Sequence, residues 1–254
     1  MAKIKAGDKF TNYTVDSVYG TDIIRGTTIE KIMDGKPTMF WFQRYIGCPP
    51  CRLDVHLLVM NHEKFLEKGV NIVVVMQSKP EIVLRDMVDK TLPFHLICDP
   101  EEKLYKDLEI GDMSKDLSEE DMKKLGMKKE LMAAEPEKYA HGDYEGNERQ
   151  APAFFYLDKD MTVIEAHYAK TIADMPLAEE AVGSMRFSLT LLLMSPILTL
   201  TNLSHQELCS NRQKTRLTIS LWMKPRTSMS LIIRIILLNV QERVCHSLVT
   251  RSSR

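Results

Sequence analysis

The chain is short of cysteine, of net charge and of long apolar runs, and each shortage narrows what it can be. Five cysteines in 254 residues are too few for a disulfide framework, and only one close pair exists, Cys48 and Cys51. That usage fits a reducing compartment, where a close pair does chemistry or binds metal instead of stapling the fold. The body has no second C-x-x-C and no H-x-x-x-H. A closed zinc site would therefore have to recruit Cys98 and His56, and no metal or other cofactor is expected. A formal net charge of −1 lacks the basic excess of a chain that binds nucleic acid as a whole. Residues 1–8 contain no apolar segment of the signal-peptide kind. No run reaches the ~20 apolar residues that span a bilayer; those at 191–194 and 232–238 are cut short or interrupted by Pro196 and Arg234. A cytoplasmic protein with neither nucleic acid nor membrane as partner is expected.

The near-neutral total hides a break. From Ser184 onward there are ten Lys and Arg against two acids, Glu207 and Glu242. Acid is scarce in that stretch, turn-forming glycine is absent, and Ser, Thr, Leu, Arg and Met dominate. Residues 184–254 read as a basic tail outside the domain formed by residues 1–183, either a non-native extension or a surface that binds a partner or a membrane face. Cys209 and Cys245 receive no role. The 44% apolar content is ample for a core in the body.

What the body does have is concentrated in residues 36–58. Thr38-Met39-Phe40-Trp41-Phe42 is a short apolar and aromatic run with strand character. Gly47 breaks it, Cys48-Pro49-Pro50-Cys51 follows, and Leu53, Leu57 and Leu58 recur at helical spacing until Gly69. The order is strand, turn, two cysteines, helix. A thiol at a helix N-terminus meets the unsatisfied N–H groups of the first turn and the positive end of the dipole. Both favour the thiolate, and thiols so placed fall from ~8.5 into the ~3.5–7.5 range. Prolines suit the first helical positions, since they give up only orphan donors. Two intervening residues bring the sulfurs within disulfide reach. A C-x-x-C in a βαβ setting is a thioredoxin-like redox signature.

Along the chain, a hairpin is expected across Tyr19-Gly20, a helical turn near 27–32 and a doubly buried strand over 70–76. A helix opens at Lys79-Pro80-Glu81, a strand covers 95–98 and a short helix 101–108. Residues 111–150 are polar with a strong helical pattern over 118–134, capped near Ser118 and stopped at Glu135-Pro136. They read as an insertion that covers one side of the site. A hairpin over 153–168 and a closing helix over 176–182 complete an α/β sheet with an antiparallel edge.

The stretches FWFQRYIGCPPCRLD, ICDPEEKLY and QAPAFFYLDKDMTVIEAHY resemble the redoxin and AhpC/TSA (peroxiredoxin-like) families of the thioredoxin fold, over roughly residues 6–183. The resemblance implies a central mixed sheet flanked by helices and a thiol-dependent antioxidant oxidoreductase cycling through a Cys48–Cys51 disulfide. It also implies a cis-proline at Pro152 beside the cysteines. The substrate would be a small peroxide or a protein disulfide, and the reductant a dithiol such as a thioredoxin-type protein.

Two assignments of the cysteines stay open. In the thioredoxin-like one, Cys48 is the exposed nucleophile and Cys51 resolves the mixed disulfide. In the peroxiredoxin-like one, the motif is similar to Thr-x-x-Cys. Cys51 then meets the peroxide, and Cys48 stands in place of a threonine hydroxyl. Asp54 falls where those enzymes carry glutamate. A protein-disulfide reductase, a redox sensor without turnover and a fold that has lost its activity are the alternatives. Arg44, at the C-terminal end of the central strand, is a candidate to stabilise the thiolate; the plainer reading is an exposed strand-end arginine. Pro152 and Trp41 are the candidate substrate contacts, although Trp41 fits a core position better. His56 and His62 are not assigned proton transfer, and Cys98 reads as an inert buried thiol.

Overall fold

The computed structural model describes residues 3–184, so the expectations for the basic tail lie outside the described residues. In chain order the elements are β1 (Thr14–Gly20), β2 (Asp22–Thr28), α1 (Ile29–Met33), β3 (Thr38–Phe42), α2 (Pro49–Leu66), β4 (Asn71–Met76) and α3 (Pro80–Asp86). There follow β5 (Leu92–Cys98), α4 (Lys103–Asp107), α5 (Glu119–Ala134), β6 (Ala153–Leu157), β7 (Val163–Tyr168) and α6 (Ala178–Ser184).

The strands form one seven-stranded sheet in the order β2-β1-β5-β4-β3-β6-β7. β3, β4 and β5 run parallel at its centre. β3 and β4 are near-continuous apolar runs, as burial on both faces requires, whereas β5 carries Pro93 and the half-buried His95. The β1–β2 hairpin joins antiparallel to β5, and the β6–β7 hairpin joins antiparallel to β3. The sheet is thus antiparallel at both edges, where one such edge was expected. β5 also begins earlier than expected, because Leu92 pairs with Gly20 of β1.

The alternation of β3 divides the core. Met39 and Trp41 point to the face covered by α2, α3 and α6, beside Val55, Leu58, Phe65, Val83 and Ala181. Phe40 and Phe42 point to the opposite face, with Ile29 and Met33 of α1 and Leu104 and Tyr105 of α4. All five residues of β3 are buried. Gly69, with φ of 69°, turns the chain out of α2 in a conformation that glycine adopts without strain.

α5 starts on a full capping box, with Ser118 and Asp121 bonding each other's main-chain N–H groups. Its other side chains are exposed or half-buried; only Lys128 is buried. Among the described residues no helix is long and apolar enough to cross a membrane.

Candidate active site

The site sits where β3 ends and α2 begins, at the C-terminal edge of the parallel strands, the usual ligand side of such a sheet. The connecting loop is pinned from several directions. The Gln43 amide donates to the Val75 carbonyl at 2.9 Å, the Gln77 amide to Arg44 O at 2.8 Å, and the Ile46 amide to Ser78 Oγ at 2.8 Å. Beneath them the Tyr105 hydroxyl lies 2.5 and 2.9 Å from the carbonyl oxygens of Gln43 and Val75. These bonds hold the loop, and hence the cysteines, to the sheet.

Cys48 is the N-cap of α2, and Pro49 and Pro50 occupy its first two positions. Neither proline carries an N–H, and the Arg52 amide is taken by Cys48 O at 3.0 Å. The Cys51 amide is thus the donor the first turn has left. No acidic side chain lies in that turn to oppose a thiolate.

The two thiols are reduced. Cys48 Sγ–H donates to Cys51 Sγ at 2.8 Å, and Arg44 Nη2 lies 2.8 Å from Cys48 Sγ. Burial by itself pushes the Cys51 thiol up. The Cys48 hydrogen bond, the Arg44 charge and the Arg44 main-chain amide outweigh it, and its pKa is lowered to about 7. For Cys48, burial and then the bond and charge of Cys51 act together and raise the thiol far above its ordinary value. The guanidinium touches Cys48 Sγ, which lies 2.8 Å from Cys51 Sγ, so its charge acts on both sulfurs. The pair holds one negative charge between two sulfurs and titrates as a unit. Burial and then the cysteine charge also push the neighbouring Tyr45 hydroxyl up to about 12.

Both cysteines are 0% exposed. The expectation that Cys48 is the exposed thiol is therefore corrected. The cover is the chain after α5, residues 138–148, laid across the cysteine loop as a strap. The Gly142 amide donates to Gly47 O at 2.9 Å. The approach is so close that a Cβ on Gly47 would meet Asp143 O at 2.2 Å, which only glycine avoids. Arg52 clamps the two segments: its Nε donates to Ile46 O at 3.1 Å, and its Nη2 to Gly47 O at 3.3 Å and Ala140 O at 2.7 Å. Further along, the Asn147 amide donates to Gln77 Oε1 at 2.5 Å and Arg44 Nη1 to Glu148 O at 2.7 Å. On the outside of the strap the rings of His141 and Tyr144 lie 4.2 Å apart, and His141 Nε2 is 3.4 Å from the Tyr45 hydroxyl.

One turn after Cys51, Asp54 points into the protein. Its carboxylate meets Lys128 Nζ at 2.8 Å and Gln43 Nε2 at 3.2 Å, and the Lys128 side chain is only 4% exposed. Burial raises the Asp54 carboxyl, and the lysine charge holds it back. α5 is thereby tied to α2 through charge.

The structure brings Arg44, Cys48 and Cys51 together and leaves Trp41 out. Trp41 is 2% exposed, packed edge-on against Phe65 and Phe154 in the core; its place in the two-residue alternation of β3 turns it towards α2, so the substrate-contact expectation is corrected. Pro152 is buried and directly precedes Ala153, the partner of Phe42, at the end of β3 that leads into the cysteine loop. No peptide bond among the described residues is cis, so Pro152 is trans, the form that X–Pro bonds favour. The expectation of a cis-proline is corrected. His56 pairs with Asp89 at 2.8 Å. Cys98 is a buried thiol pushed up by its burial. Among the described residues no cluster of three His, Cys, Asp or Glu side chains is placed to hold a metal ion. Lys128, Arg52 and Gln77 were not singled out from sequence; Arg52 lies within the motif, but nothing marks Lys128 among the lysines of α5.

The sequence model of the AhpC/TSA family matches residues 6–166. No curated protein matches the chain. Solved structures similar to it include a putative thiol:disulfide interchange protein DsbE from Chlorobium tepidum, at 16% identity, covering 72% of this chain and 98% of that one with a TM-score of 0.43. Mycobacterium bovis AhpC is similar at 14% identity, 72% and 90% coverage and a TM-score of 0.48. A reduced 2-Cys peroxiredoxin from Plasmodium vivax is similar at 11% identity, 66% and 73% coverage and a TM-score of 0.46. The family assignment rests on the sequence match, which spans most of the described residues. The chain belongs to the AhpC/TSA family, and its function is of that family's thiol-dependent, peroxidase-like kind.

Proposed function

We propose that the protein reduces a small peroxide, with Cys51 as the attacking thiolate and Cys48 as the resolving thiol. The observation that carries this reading is the burial of both sulfurs together with a lowered pKa at Cys51. Both substrates must be attacked in line, but a peroxide of a few atoms needs only a small opening over the buried sulfurs, whereas a protein disulfide needs a wide one. The Cys51 thiolate attacks the terminal peroxide oxygen and the O–O bond breaks. The alkoxide or hydroxide leaves with a proton, and Cys51 becomes a sulfenic acid. Cys48, 2.8 Å away, then attacks the Cys51 sulfur and expels water. The sum is one peroxide and two thiols giving one disulfide, water, and a second water or an alcohol. An external dithiol returns the pair to its reduced form by exchange. Arg44 holds the thiolate and offers its charge to the oxygen that leaves.

The test is stopped-flow oxidation of the reduced protein by hydrogen peroxide, run beside insulin-disulfide reduction. Fast oxidation with little insulin turnover is expected. Insulin turnover without a peroxide reaction would make the protein a disulfide reductase instead. Inertness in both would leave a redox sensor.

A further inference from the structure

The peroxide reading leaves one proton without a source. Attack by the Cys51 thiolate breaks the O–O bond and sends off an alkoxide or hydroxide, which must take up a proton. Cys48 then expels the second oxygen from the sulfenic acid, and its own thiol proton turns that hydroxide into water. The pair, with one proton and one negative charge, supplies only the second of these. The first has to come from outside, to a place where both sulfurs are 0% exposed.

The side chains around the pair differ in whether they can carry it. Arg44, 2.8 Å from Cys48 Sγ, keeps its protons at any pH the fold survives. The Tyr105 hydroxyl is taken up by the carbonyls of Gln43 and Val75 at 2.5 and 2.9 Å. Asp54 and Lys128 bond each other, with side chains 12% and 4% exposed, and so offer no path to water. Tyr45 is different. Its ring is buried 5.7 Å from the Arg44 guanidinium, and the charges of both cysteines act on its hydroxyl. That hydroxyl lies 3.4 Å from Nε2 of His141, an exposed residue. The other ring nitrogen, Nδ1, is 2.8 Å from Gly142 O. A carbonyl only accepts, so Nδ1 carries the hydrogen, and Nε2 is left to take and give a proton on the side of the tyrosine. The ring of Tyr144, 4.2 Å away, backs the imidazole.

Resting on the peroxide reading, we propose that His141 and Tyr45 are a proton relay from water to the oxygen that leaves the peroxide. His141 takes a proton from water at Nε2. It passes that proton to the Tyr45 oxygen as the Tyr45 hydroxyl gives its own to the departing alkoxide or hydroxide. One proton enters at the imidazole and one leaves at the phenol, so both residues end as they began. The Nδ1 hydrogen stays on Gly142 O throughout, and the ring does not have to turn. The bond between them is long, as such bonds are before substrate binds, and it shortens as the proton moves.

The test compares two reagents on the reduced full chain by stopped flow: hydrogen peroxide and iodoacetamide. Both are attacked by the same thiolate, but iodide leaves without a proton. Positioned proton transfer contributes about 10²–10⁴-fold. The peroxide rate should therefore fall about tenfold or more in Tyr45→Phe and in His141→Ala, while the iodoacetamide rate changes by less than about threefold. Added imidazole should restore the peroxide rate of His141→Ala and leave Tyr45→Phe slow. A peroxide rate that stands in either variant would overturn the relay. So would a parallel change with both reagents, which marks an effect on access or on the thiolate, or equal rescue of Tyr45→Phe by imidazole. A wild type that iodoacetamide labels and peroxide does not oxidise would sink the peroxide reading and the relay with it; a reactive wild type with unmoved variants sinks the relay alone.

Discussion

At the residue scale the account turns on how one negative charge is kept between two buried sulfurs. Arg44 is the main cation near the pair, and an adjacent guanidinium typically moves an acid by about 1–3 pKa units. Since Cys51 titrates at about 7 and the thiolate is the nucleophile, the rate of oxidation should climb as pH rises through 7 and level off above it. In Arg44→Gln the midpoint should move up by about 1–3 units, seen as thiolate absorbance against pH. An unmoved midpoint would return Arg44 to the role of a structural strap contact. Gly146 offers a test of the cover that leaves this electrostatic group alone. It has φ of 60°, and a Cβ there would meet Gln77 Oε1 at 2.0 Å, so Gly146→Ala is strained in two ways. Labelling of the reduced thiols by a bulky maleimide, relative to iodoacetamide, should rise several-fold in that variant. An unchanged ratio would mean that the strap does not limit access.

At the scale of elements, α5 is held by a buried ion pair instead of an apolar stripe. Removing one partner strands the other charge. Lys128→Met should therefore cost about 3–5 kcal/mol of unfolding free energy, while the double variant with Asp54→Leu recovers most of it. Denaturant melts of both variants measure this, and a single variant as stable as the wild type would show that the pair is not what fastens α5. The same element shows where sequence reading stops. The order strand, turn, C-x-x-C, helix is legible because every signal in it is local: apolar run, glycine, prolines, helical leucines. The Ser118 cap and the Glu135-Pro136 stop are local too, and α5 was legible for that reason. The partner of Asp54 was not, because Lys128 looks like its neighbours Lys124 and Lys129 until the helix is docked. Arg44 could be placed beside the cysteines, but its second partner lies 104 residues further on. Trp41 misleads as a substrate contact because an aromatic residue beside a motif reads alike whichever face it takes. Exposure of Cys48 misleads for a related reason, since the cover comes from a distant segment.

At the scale of the molecule, the described residues carry two hydrophobic clusters and the candidate site. Residues 185–254 differ from them in charge and composition, and we propose that they are not needed for the body. A chain ending after Ser184 should keep the melting temperature and the thiol reactivity of the full protein; a large loss of either would show that the tail packs on the domain. The central claim concerns the domain itself: Cys51 attacks and Cys48 resolves. The most direct measurement is mass spectrometry of Cys48→Ser and Cys51→Ser after one equivalent of hydrogen peroxide. The account predicts a sulfenic acid on Cys51 in Cys48→Ser, stalled for want of its partner, with Cys48 in Cys51→Ser nearly unreacted. Sulfenic acid on Cys48 in Cys51→Ser, with none on Cys51 in Cys48→Ser, would contradict it.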